Sequence, residues 1–134
     1  MQHEKQGERG QKETLHSYRN LLIWQKAFLI AKEIYKLTEL FPKEERYGLI
    51  SQLRRAGVSV VSNIAEGFSR KTEKEKIQFA VIAFGSAAEI ETQLLLAKEL
   101  QFATKEEFEK TEHLVLEVRK ILNSYLLKQR QVKQ

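Results

Sequence analysis

Between Gln52 and Arg70 the side chains able to do chemistry recur at helical spacing. Wound at about 100° per residue, Gln52, Arg55, Ser59, Asn63, Glu66 and Arg70 fall on one line. Arg54 falls on a neighbouring face with Val58 and Ala65, and Lys71, Lys74 and Lys76 follow directly. Two kinds of chemistry suit this row. Cationic side chains neutralise phosphates, which makes Arg54, Arg55, Arg70, Lys71 and Lys74 candidate nucleic-acid contacts, with Arg19 and Lys26 in support. Short polar side chains instead hydrogen-bond across a helix or subunit boundary, with an arginine answering a carboxylate such as Glu89 or Glu91. Ser59, Asn63, Glu66 and Glu89 are assigned to that structural role. The two readings coexist if Arg55 is paired inside while Arg54 and Arg70 face out.

Signatures of catalysis are sparse. A bundle di-iron site needs Glu-x-x-His pairs on two helices and a glutamate from each of the others. One such pair occurs, Glu13 with His16, in a polar N-terminal segment and without a mate. Glu109 and His113 share a helical face but make only a two-ligand set. No phosphate-binding glycine loop, nucleophile elbow or triad grouping is evident. The expectation is a protein that is not an enzyme and carries no metal or cofactor.

Four helical patterns must position these residues. The first covers about Leu21 to Leu40, with Ile23, Ala27, Ile30, Ile34 and Leu37 on one stripe. Phe41-Pro42 ends it, because the residue before proline is pushed out of the α region. The second runs from about Lys43 to Phe68, with Ile50, Leu53, Gly57, Val60 and Ile64 inward. The third opens on the capping box Thr72 to Glu75 and continues to about Leu100. The fourth opens on a second box, Thr104 to Glu107, and runs to about Lys128, with Val115, Val118, Leu122 and Tyr125 in register. Short connections between long helices predict an all-α, antiparallel up-down-up-down four-helix bundle over residues 18–128. Residues 1–17 read as a mobile N-terminal tail and 129–134 as a C-terminal tail.

A lone bundle needs one apolar stripe per helix, and two of these helices carry more. Trp24, Phe28 and Tyr35 make a second stripe on the first helix, and apolar residues surround the third between Ile77 and Leu96. A central position for the third helix is one explanation. Association between copies is the other, with Trp24, Phe28, Tyr35, Phe79, Ile82, Ala83 and Ser86 as the candidate oligomer interface.

Composition fits this picture. Hydrophobic residues make up 42% and charged residues 31%, with one proline and six glycines, too few for a loop-rich all-β fold. The formal net charge of +5 favours polyanionic partners. Absence of cysteine excludes disulfides and thiolate metal sites. With no signal-like N-terminus and no uninterrupted apolar run of bilayer length, the expectation is a cytoplasmic protein without a membrane partner.

Several segments carry a family resemblance. These are Arg19 to Ala27, Tyr47-Gly48-Leu49, Ser51 to Ala56, Ser62 to Gly67 with Arg70, Ala83 to Ser86, and Glu89 to Leu94. Together, across about residues 18–126, the chain resembles the bacterial four-helix bundle family called 23S rRNA-intervening sequence proteins. The resemblance implies a bundle that assembles as a ring-like homopentamer and has no catalytic residue. A similar fold occurs in accessory proteins of diversity-generating retroelements, which bind nucleic acid and a reverse transcriptase. The resemblance therefore supports two expectations: binding of structured RNA or DNA, or a protein-interaction scaffold whose partner is a protein such as a reverse transcriptase. Two positions depart from the family pattern. Val61 stands where proline is usual, which predicts a straighter second helix, and Gly57 stands where alanine is common.

Overall fold

The computed structural model describes residues 17–132. The tails expected at 1–17 and 129–134 lie outside the described residues, apart from Ser17 and residues 129–132. Among the described residues the chain is all-α, with four long helices: α1 (Leu22–Thr38), α2 (Leu49–Ser69), α3 (Glu73–Glu99) and α4 (Lys105–Val132). One short 3-10 turn, Ser17–Asn20, precedes α1 and another, Lys43–Glu45, precedes α2.

The helix boundaries follow from local chemistry. At α3 the Thr72 hydroxyl accepts the Glu75 N–H at 3.2 Å. At α4 the box is reciprocal: Thr104 Oγ1 accepts the Glu107 N–H at 3.3 Å, and Glu107 Oε1 accepts the Thr104 N–H at 2.9 Å. Two boundaries differ from expectation. α2 begins at Leu49 rather than near Lys43, because Gly48 adopts a non-helical backbone and Glu45 reaches forward to accept the Leu49 N–H at 3.1 Å. α4 continues to Val132, so residues 129–132 of the expected C-terminal tail are helical.

Each helix packs against two others, in the cyclic order α1, α2, α3, α4 and back to α1. Glu91 and Lys98 of α3 meet Arg119 and Glu112 of α4, and Gln52 and Ser59 of α2 meet Gln93 and Ser86 of α3. Inward stripes from all four helices meet in one core. Ile30 and Ile34, Leu53 and Val60, Ala87 and Ile90, and Phe108 and Val118 are fully enclosed. Each large side chain of this kind contributes about 1.5–3 kcal/mol of burial free energy.

α1 and α2 approach closely at Gly57, where an added Cβ would lie 3.0 Å from Ile34 Cδ1 and 3.5 Å from Ala31 Cα. The departure from alanine thus has a packing reason here. α2 runs without interruption through Val61, which packs partly buried against the core.

α3 is the exception to amphipathicity. Ala83, Ala87, Ile90 and Leu94 face inward, while Val81, Ile82, Leu95 and Leu96 are exposed. By length and composition alone α3 is apolar enough to cross a bilayer, a property that the core helix of a soluble bundle shares. A third of its most apolar stretch, 33%, is buried within this chain.

Candidate nucleic-acid interface

Most of the expected phosphate contacts are engaged inside the chain. Arg54 was expected to face out, but it clasps α1. Its guanidinium lies 4.5 Å from the centre of the Tyr35 ring, Nε donates to Thr38 Oγ1 at 2.9 Å, and Glu39 is 3.6 Å away. Thr38 is itself buried and donates to the Ile34 carbonyl at 2.7 Å, so the clasp is anchored in the core. Arg55 makes a two-oxygen contact with Glu89 of α3, at 2.5 and 2.9 Å. Arg70 pairs with Glu66 at 3.2 Å one turn back and covers the Phe79 ring at 4.8 Å. Lys26 pairs with Glu117 of α4.

The remaining polar residues of the α2 row bind across to α3 or along their own helix. Ser59 and Ser86 hydroxyls are 2.9 Å apart, and Asn63 Nδ2 donates to the Ser59 carbonyl at 2.7 Å. Gln93, only 8% exposed, donates to Gln52 at 3.0 Å, leaving its own oxygen without a partner. The row is therefore largely an internal α2–α3 seam. Ser86, expected at an oligomer surface, sits in that seam. Ala83, also expected there, is fully buried in the chain's own core because it lies on the inward stripe with Ala87 and Ile90. Phe79 is half-buried under Arg70, and Trp24 is half-buried and stacked on Phe28 with ring centres 5.1 Å apart. Phe28, Tyr35 and Ile82 remain exposed.

Six cations without an ion-pair partner among the described residues gather elsewhere, while Lys32, Lys43, Arg46, Lys105 and Lys120, also unpaired, are spread over the rest of the bundle. Lys71 and Lys74, exposed, stand where α2 passes into α3; Lys76 follows one turn on, and Arg19 precedes α1. The end of α4 brings Lys128 and Arg130 to the same end of the bundle, where Tyr125 and Gln129 meet Leu21, Gly67 and Glu73 around one cavity. The opposite end carries Glu39, Glu44, Glu45, Glu99, Glu106 and Glu107, against Lys43, Arg46 and Lys105. Glu66, Glu73 and Glu75 share the first of these ends, so the bundle is net basic at one end and net acidic at the other. Of the cations at this end, Arg19, Lys71 and Lys74 were candidate contacts from the sequence, and Lys76, Lys128 and Arg130 were not.

Two groups depart from their ordinary ionisation. Hydrogen bonds from the Thr104 backbone and hydroxyl hold the Glu107 carboxyl below the usual carboxylate value. Burial, and then the nearby Glu73 carboxylate, push the Tyr125 hydroxyl up. Among the described residues no group of three or more His, Asp or Glu side chains is placed to hold a metal ion.

A four-helix, all-helical chain with a charged internal seam and a basic end is the class of protein these features define. The family model for 23S rRNA-intervening sequence proteins matches residues 19–124, and the chain belongs to that family. A solved structure from Bacteroides thetaiotaomicron, described as a protein with unknown function from the S23 ribosomal protein family, is similar at 25% identity and a TM-score of 0.71. The similarity covers 78% of this chain and 98% of that one. No curated protein matches.

Proposed function

We propose that the chain is a non-enzymatic, up-down-up-down bundle of the cytoplasm that assembles into a ring-like homopentamer and binds structured RNA or other nucleic acid. Contact is through the phosphate backbone at the basic end, with Lys71, Lys74 and Arg19 from the sequence reading joined by Lys76, Lys128 and Arg130. The observation that carries the reading is the clustering of charge: Arg19, Lys71, Lys74, Lys76, Lys128 and Arg130, none of them in an ion pair among the described residues, share one end, while Arg54, Arg55, Arg70 and Lys26 are paired within the fold. Such contacts position a nucleic acid without reading its bases. A ring that repeats a weak site gains avidity without any new contact.

Assembly is supported by apolar surface that the single chain leaves uncovered, Phe28 and Tyr35 on α1 and Val81, Ile82, Leu95 and Leu96 on α3. The same surface favours the second reading, a scaffold that grips a protein partner such as a reverse transcriptase and has no direct nucleic-acid role. Fluorescence anisotropy with a folded ribosomal RNA fragment across a salt series separates them. Steeply salt-dependent binding supports the first reading, and its absence at low salt supports the scaffold. Light scattering on the same sample gives the subunit number.

A further inference from the structure

At the basic end the four helices part around a cavity of about 450 Å³. Its apolar lining, a throat between the helices, is formed by Ile23 of α1, Ile64 and the more exposed Phe68 of α2, Ala80 of α3, and Ile121 and Leu122 of α4. The same lining carries groups able to hydrogen-bond: Asn63, Glu73, Lys76, Tyr125 and Gln129. Asn63 spends its amide N–H on Ser59, and its carbonyl oxygen accepts no hydrogen bond among the described residues. An opening of this size, apolar within and polar at a few convergent points, has the character of a small-molecule or group-binding site. At the other end of the bundle Phe41 packs against Phe102 and Phe108, and a cavity of about 680 Å³ lined by Leu40, Gln101, Phe102, Thr104, Lys105 and Glu107 lies beside them. What distinguishes the cavity at the basic end is the excess of cations around it: Lys76 in the lining beside Glu73, with Lys71, Lys74, Lys128 and Arg130 at the same end.

We propose that this cavity receives one unpaired base of the bound strand while the rim lysines hold the flanking phosphates. This deepens the nucleic-acid reading and rests on it. A flat heterocycle with polar edges and an anionic backbone on either side matches a lining of apolar and hydrogen-bonding groups with cations around it. Unpaired bases in loops and bulges are the parts of a structured RNA that can leave the stack to enter such a site. The phenol of Tyr125 and the ring of Phe68 provide the aromatic faces, and Asn63, Glu73 and Gln129 meet the base edge. Phosphate contacts alone would bind duplex and single strand with little distinction; the throat adds a term that only an extruded base can realise.

The test compares three probes with the full-length protein: a short single-stranded RNA, the same strand with its central base removed, and the corresponding duplex. The intact single strand should bind about tenfold more tightly than the abasic one, the size of a single buried base contact. A fluorescent adenine analogue at the same position should change its emission on binding. Ala80→Leu, which narrows the throat, should abolish the difference between intact and abasic strands and leave the salt slope unchanged. Lys71→Gln with Lys74→Gln should weaken both strands alike. Should Ala80→Leu fail to fold, the comparison of intact and abasic strands on the unaltered protein still decides. Salt-dependent binding in which all three probes are equal overturns the base pocket and leaves the nucleic-acid reading standing. Absence of binding to any probe overturns that reading as well. Occupation of the throat by a medium-chain fatty acid with no effect on RNA affinity also overturns the base pocket.

Discussion

At the scale of single residues, the arginines divide by what they touch. Arg54 lies over Tyr35 and donates to the buried Thr38 hydroxyl, so its removal leaves a core-anchored acceptor and an uncovered ring. Arg54→Ala should therefore lower stability by about 1–2 kcal/mol, read by chemical denaturation, and leave nucleic-acid affinity per folded molecule unchanged. Lys71→Gln, at an exposed side chain with no partner among the described residues, should do the reverse. It should leave the melting curve alone and flatten the salt dependence by about 0.7 in log–log slope if the bound strand is single. Glu107 gives a prediction in pH. Its carboxyl is held below its ordinary value by hydrogen bonds from Thr104. The folded form therefore binds its proton less readily than the unfolded chain, and the stabilisation is present above the unfolded pKa. As pH falls through the folded value that contribution is lost. The first turn of α4 should fray on acidification, seen as loss of hydrogen-exchange protection at the Glu107 and Phe108 amides, and Glu107→Gln should remove the dependence.

At the scale of elements, glycine separates two kinds of helix contact. In Gly67 of α2 an added Cβ would come 2.9 Å from Phe79 Cβ, an atom fixed to the α3 backbone, so Gly67→Ala should cost about 1–3 kcal/mol by overpacking. In Gly85 of α3 the same addition meets nothing within 4 Å, and Gly85→Ala should gain about 1 kcal/mol of helix propensity in the isolated protomer. Paired melting curves of opposite shift, at a concentration where the protein is monomeric, check both. A smaller assembled mass for Gly85→Ala would place the outer face of α3 in a subunit contact. Much of this level was legible from spacing: the four stripes, the proline stop before α2 and both threonine caps are local signals. The start of α2 was not, because it depends on Glu45 reaching forward to cap Leu49 across a non-helical Gly48. The fate of Arg54 was not legible either. Its partners are on α1, and only the packing of the two helices brings Tyr35 and Thr38 beneath it. The lysines of the basic end were read only in part, since Lys76 and Lys128 come from segments far apart in the chain.

At the scale of the whole molecule, charge is polarised along the bundle. α3 alone has 27 residues, which at about 1.5 Å per residue makes the two ends roughly 40 Å apart. The Debye length at physiological ionic strength is about 8 Å, so a polyanion at one end scarcely feels the other. Net charge and local charge therefore make different predictions. Lys71→Glu with Lys74→Glu acts at the basic end, and Lys43→Glu with Lys105→Glu removes the same charge at the acidic end. If the overall charge of +5 were what drew nucleic acid, both double variants would weaken binding equally. If the basic end is the contact, the first should lose at least tenfold in affinity and the second should stay near the unaltered protein. The comparison is cleanest by anisotropy at fixed salt, with circular dichroism confirming that both variants keep their helices. In a ring whose axis follows the helices, every protomer would present its basic end to the same side. One face of the assembly would then hold nucleic acid while the opposite, acidic face repelled it. The first double variant should consequently cost the assembled ring more than it costs a single site, since the weakened contact is repeated in every subunit and the avidity falls with it.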